Sequence, residues 1–122
     1  MEISFSRKQS RVPVTVMQVR GKVDAANHQR FLEEAREAIR GGARYLLVDL
    51  SACDYMSSAG LRALNDLLLL FRQSHPADET GTRSARIKLV NLSEKLAEIF
   101  SVAGMDAFFE IHTEFETAVA SF

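Results

Sequence analysis

Val12, Val14 and Val16 alternate with Pro13, Thr15 and Met17. This period of two, rich in β-branched residues, predicts a strand running to about Arg20. Ile3 and Phe5 predict a shorter strand before it. Pro13 has no N–H to give a ladder, which places it at a sheet edge or a strand start. Gly21 then punctuates the chain.

From residue 24 the period changes to that of a helix, running to Arg40. Asp24 is its expected N-cap. Phe31, Leu32, Ala35, Ala38 and Ile39 share one face, and Arg30, Glu33, Glu34, Arg36 and Glu37 fill the other. Gly41 and Gly42 give a stop signal. Tyr45, Leu46, Leu47 and Val48 form a continuous apolar run ending at Asp49, as suits a central strand covered on both faces. Residues 50–56 read as a short loop. A second helix is expected from Ser57 to Ser74, with Gly60, Leu61, Leu64, Leu67, Leu68 and Phe71 inward. Leu69 alone breaks its pattern, falling in the polar arc of Arg62, Asn65, Arg72 and Gln73.

Residues 75–85 have loop composition (Pro76, Asp78, Thr80, Gly81, Thr82, Ser84) and are expected to be a flexible insertion. Ile87, Leu89 and Val90 predict a strand. A third helix follows, capped by Ser93 and ended by Gly104. A short strand is expected over residues 108–111 and a terminal helix over 113–121. Strands alternating with helices predict an α/β layered fold: a mostly parallel mixed sheet of about four to five strands covered by about four helices. One domain spans residues 1–122. In such a fold the strand C-termini and the helix N-termini that follow share one edge, where ligands and partners engage. The turns at residues 21–27 and 51–60 meet there, and residues 75–85 belong to the opposite edge.

Composition narrows the function. At 122 residues and 47% apolar, the chain can bury a core without a metal or disulfide staple. Lys+Arg number 15 and Asp+Glu 16, giving a net charge of -1, without the basic excess of a nucleic-acid binder. The only cysteine, Cys53, reads as a small buried apolar residue and fits a reducing compartment. The longest strongly apolar run, residues 67–71, is far short of the roughly 20 residues a membrane span needs, and no signal core is read at the start. The expectation is a cytoplasmic protein with no membrane insertion.

Enzyme signatures fail. No phosphate loop and no dinucleotide-binding turn is present. His28, His75 and His112 sit in different elements, so neither a metal nor another cofactor is expected. Ser58 and Gly60 resemble half of a nucleophile elbow, but Met56 stands where that turn needs Gly. Asp49 ends a central strand as in a phospho-receiver domain. The other strand end, Val19-Arg20-Gly21-Lys22, supplies no acidic pair. No catalytic residue is assigned.

What remains is the stretch from Asp49 to Arg62, Asp-Leu-Ser-Ala-Cys-Asp-Tyr-Met-Ser-Ser-Ala-Gly-Leu-Arg. Capping explains one hydroxyl at a helix start but does not require both Ser57 and Ser58. A helix N-terminus also tolerates a phosphoryl group, through its dipole and free N–H groups. The stretch resembles the signature of the STAS family, the anti-sigma factor antagonists, with Asp-Leu-Ser after a strand and a Ser-rich turn leading to Gly-Leu. Residues 21–27 are similar to that family's first strand-to-helix turn. Residues 89–93 and 104–106 extend the likeness to essentially the whole chain.

The resemblance implies a STAS-like fold and a protein-interaction switch. Aligned on Gly60, the family's phosphorylated serine falls on Ser58, with Ser57 the runner-up. Ser57 stands where the family usually has Asp, and Ala59 replaces the usual Ser/Thr. The implied partner is an anti-sigma factor, commonly a serine kinase, whose binding releases a sigma factor; a phosphatase would reset the modified protein. Asp24, Asn27 and Asp54 are candidate partner contacts beside Ser57 and Ser58. Arg62 is a candidate to pair with a phosphate, and Leu69 for a partner or weak homodimer patch. Two alternatives remain open: a non-switching STAS scaffold or transporter-complex subunit, and a small-ligand or nucleotide sensor.

Overall fold

In a computed structural model, which describes residues 1–79 and 81–122, the chain begins with an antiparallel hairpin of β1 (Glu2–Gln9) and β2 (Pro13–Val23). Three more strands then join in chain order, each parallel to the one before: β3 (Leu46–Met56), β4 (Ile87–Val90) and β5 (Glu110–His112). The helices are α1 (His28–Arg40), α2 (Ser58–Ser74), α3 (Glu94–Val102) and α4 (Phe115–Ala120), with one 3₁₀ turn at Met105–Ala107. The layered α/β fold with a five-stranded, mostly parallel sheet is as expected. Thr80, read with the 75–85 insertion, lies outside the described residues.

Alternation assigns the two faces. Met17, Val19, Leu46, Val48 and Leu50 point toward α1, α2 and α3, meeting Phe31, Leu64, Leu67, Phe71, Leu96 and Phe100 in the main core. Val14, Val16, Leu47 and Val90 point the other way, against Ala118, Val119 and Phe122 of the C-terminal segment. The apolar run of β3 is therefore covered on both sides, as its lack of alternation predicts. Lys88 is buried on the α4 side. Its ammonium donates to the Ser121 carbonyl at 2.9 Å and hydroxyl at 3.1 Å, lies 3.2 Å from Glu110, and sits over the Phe122 ring at 4.7 Å.

Three of the boundaries that differ from expectation do so for a local reason. Residues 50–56 are strand, not loop. Between Gln18 and Lys22, β2 advances four residues while β3 advances six, from Asp49 to Tyr55. These two irregularities give β3 an inward period of three at Leu50, Cys53 and Met56, which hides it from a period-two reading. Helix α1 starts at His28 with Asn27 at the cap position, because Asp24 is used inside the preceding turn. The last strand falls at Glu110–His112, since Met105–Ala107 forms the 3₁₀ turn.

The α2–β4 connection runs along the opposite edge of the sheet from the strand C-termini. There the buried Glu79 side chain accepts from the Ser84 hydroxyl at 2.7 Å and the Arg86 N–H at 3.2 Å. Arg86 reaches Asp78 and the Arg44 carbonyl while lying over the Tyr45 ring at 4.8 Å.

Candidate functional site

Three strand-to-helix turns meet at the carboxyl edge of the parallel strands: β2–α1, β3–α2 and β4–α3. The first two are joined by backbone. The Ser57 N–H donates to the Val23 carbonyl at 3.0 Å, in line with the parallel pairing of Val23 and Met56. Gly60 is buried against the same carbonyl. A Cβ at this residue would stand 2.7 Å from the Val23 oxygen and 3.1 Å from Val23 Cγ1. The close approach of Gly60 to β2 is thus a requirement of the turn.

The serines have different places. Ser57 is the N-cap of α2, half-buried, with its Oγ accepting the Gly60 N–H at 3.4 Å. Ser58 is the first helical residue and is exposed, and among the described residues its hydroxyl has no hydrogen-bond partner. Their order along the chain decides this: the residue in extended conformation (Ser57, φ -76°, ψ 175°) turns its side chain back over the helix end.

Asp24 and Asn27 build the adjoining turn. Asn27 Oδ1 accepts the Asp24 N–H, Asp24 Oδ1 accepts the Ala26 N–H, and Asn27 Nδ2 donates to the Lys22 carbonyl, all at 2.9 Å. Asp54 is exposed near the end of β3, between buried Cys53 and half-buried Tyr55. Burial pushes the Cys53 thiol upward in pKa; the Tyr55 carbonyl, 3.6 Å from its sulfur, opposes that and the Asp54 charge adds to it. Arg62 is exposed one helical turn after Ser58. Leu69 is 44% exposed but lies about 16 Å further along α2 from Ser58 at 1.5 Å per residue, so the fold does not bring it to this edge.

Beside Ser58 lies a groove of 520 Å³ between the start of α2 and α3, walled by Tyr55, Leu61, Ile99 and Val102. Lys95 and Glu98 stand at its polar side, with the Lys95 ammonium 5.7 Å from the Tyr55 ring centroid. Val102 is 85% exposed, an unusual position for a valine closing a helix. Its helical spacing from Leu96, Ile99 and Phe100 would suit an inward position. The wall leaves no signal in the sequence, because its residues come from three elements. Among the described residues no cluster of His, Cys, Asp or Glu could hold a metal, and no helix is long and apolar enough to cross a membrane.

Comparisons with known proteins agree on the architecture. The pattern of the STAS domain family matches residues 6–118. A relative in Bordetella bronchiseptica, BtrV, provisionally named an anti-sigma factor antagonist, is 29% identical over 104 residues, covering 85% of this chain and 82% of its own. A Thermotoga maritima protein with the same provisional description superposes with a TM-score of 0.79 at 16% identity, covering 96% of this chain and 91% of that one. The Bacillus cell-fate determinant SpoIIAA in its phosphorylated form gives 0.62 at 16% identity, covering 95% and 96%.

Proposed function

Because the chain belongs to the STAS domain family, we propose that it is an anti-sigma factor antagonist, switched by phosphorylation of Ser58. In this reading the unmodified protein binds an anti-sigma factor that is also a serine kinase, and so releases a sigma factor. The kinase transfers the γ-phosphoryl group of ATP to the Ser58 hydroxyl. Binding then fails, until a phosphatase hydrolyses the ester.

The carrying observation is the division of labour between the serines. Ser57 is occupied in capping, whereas Ser58 presents its hydroxyl to solvent at the positive end of α2. A phosphoryl group there adds about 1.5 to 2 negative charges, which the helix dipole favours, so the fold survives the change. A partner surface packed against a neutral serine does not. The groove of Tyr55, Leu61, Ile99 and Val102 lies within the same footprint and gives the partner apolar area to bury. Asp24 and Asn27 act by holding the neighbouring turn, Asp54 and Arg62 as exposed contacts around Ser58, and Leu69 stands outside this footprint.

The test is incubation with the partner kinase and ATP, followed by mass spectrometry and affinity measurement. Phosphate is expected on Ser58, unchanged in Ser57→Ala and absent in Ser58→Ala. Ser58→Asp should weaken kinase binding and Ser58→Ala should keep it. Unmodified serines, or equal affinity of the two variants, would overturn the switch. Recovery of transport subunits without a kinase would favour a non-switching scaffold.

A further inference from the structure

Among the described residues strand β1 is hydrogen-bonded on one side only, to β2, and its other backbone row forms the end of the sheet. All of its residues except Ile3 are exposed. Long bare edges of this kind invite a further strand, and proteins blunt them with proline, bulges or charge. β1 carries no proline, and its register with β2 is unbroken from Glu2–Arg20 to Gln9–Pro13. Its charges are Glu2 at one end and Arg7 and Lys8 at the other. Such a distribution repels like-oriented copies but is complementary to its own reverse.

We propose that this edge pairs with β1 of a second copy of the chain, antiparallel, with Phe5 on the two-fold axis, joining two five-stranded sheets into one. In that register Glu2 stands opposite the second copy's Lys8, and Lys8 opposite its Glu2. Ser4 faces Ser6, and Phe5 faces Phe5. The side chains are already on the required sides. Glu2 reaches Arg20 at 3.9 Å, opposite it on β2, and Lys8 lies over the α4 residue Phe115 at 6.0 Å, so both even-numbered residues face α4. Phe5 is on the other side, where with Arg7 it lines a groove against Glu34, Glu37 and Ala38 of α1. It is 41% exposed, and an identical ring across the axis covers it. The charges also choose among registers. Placing Arg7 on the axis instead opposes it to its own copy, which is unfavourable. This surface lies at the opposite end of the strand order from β5 and uses no residue of the Ser58 edge, so it is independent of the proposed switch.

Sedimentation equilibrium of the full chain over a dilution series tests the pairing. A reversible monomer–dimer equilibrium is expected. Lys8→Glu should raise its dissociation constant about tenfold or more, since two attractive pairs become repulsive. Glu2→Lys combined with Lys8→Glu should restore it, and Leu69→Ser should leave it unchanged. Phe5→Cys provides a second measurement that does not depend on the charge variants: mild oxidation should yield a covalent dimer. The monomer mass at every concentration would overturn the proposal, and so would a dimer insensitive to Lys8→Glu or a Phe5→Cys chain that fails to cross-link.

Discussion

The carbonyl oxygen of Val23 lies 2.7 Å from the point where a Cβ on Gly60 would stand, so the strand before α1 sets which residue can stand in the first turn of α2. Gly60→Ala should therefore destabilise the protein although alanine is the better helix former. The propensity gain is up to about 1 kcal/mol. Forcing a methyl group against backbone costs roughly 1–3 kcal/mol, and that term should win. Urea unfolding would measure the net loss; a more stable variant would show that α2 can lift off the sheet at no cost.

Ser57 and Ser58 should separate in the same experiment. Ser57→Ala removes the oxygen that accepts the Gly60 N–H and should cost about 1 kcal/mol. Ser58→Ala removes an exposed hydroxyl and should change stability by no more than about 0.5 kcal/mol. Equal losses would mean that the hydroxyls share the cap.

Cys53 should be a poor nucleophile in the folded chain. Its thiol is buried and its pKa is raised, chiefly by desolvation, so the thiolate is scarce at neutral pH. Reaction with an aromatic disulfide at pH 7 should be at least about tenfold slower than in denaturant. Rapid native labelling would contradict the packing of β3.

Lys88 ties the C-terminal segment to the sheet by donating to Ser121 and facing Glu110. Lys88→Met keeps most of the stem and removes the charge, leaving the Ser121 carbonyl without its donor. A loss of roughly 1–3 kcal/mol is expected. Hydrogen exchange should show the faster opening concentrated in α4, whereas a uniform change across the sheet would assign Lys88 a different role.

Asp78 gives a small pH signature. The Arg86 hydrogen bond, then its charge, hold this carboxyl below its ordinary value. The contribution is therefore present above the ordinary carboxylate range and is lost as pH falls through the lowered value. Wild type should exceed Asp78→Asn in urea midpoint at neutral pH, and the difference should shrink below about pH 4. A gap that widens on acidification would reverse the assignment.

The parts of the fold legible in sequence were those where one element states its own surroundings. Val14 and Val16 announced a two-sided strand by alternation, and the run from Tyr45 to Val48 announced burial on both faces by lacking it. Gly60 was legible because a glycine on an apolar helix face implies close approach. Residues 50–56 were not, because each irregularity in the β2–β3 register restarts the inward count. The start of α1 was not legible because Asp and Asn are both residue types that favour a cap position, and only the turn geometry decides between Asp24 and Asn27. The groove beside Ser58 was invisible for a different reason. Tyr55, Leu61, Ile99 and Val102 meet through packing, and no spacing along the chain encodes that meeting. The buried Glu79 lay hidden in a stretch whose composition reads as loop.

The single carbonyl of Val23 both receives the Ser57 N–H and blocks any side chain at Gly60, fixing the seat of α2 from two directions. A residue mounted on so stiff a seat has little backbone entropy left to lose when something docks on it. Under the proposed switch, modification there would be read as a difference in affinity between two chemical states of one shape, with the whole discrimination lying in what the visitor meets at the surface.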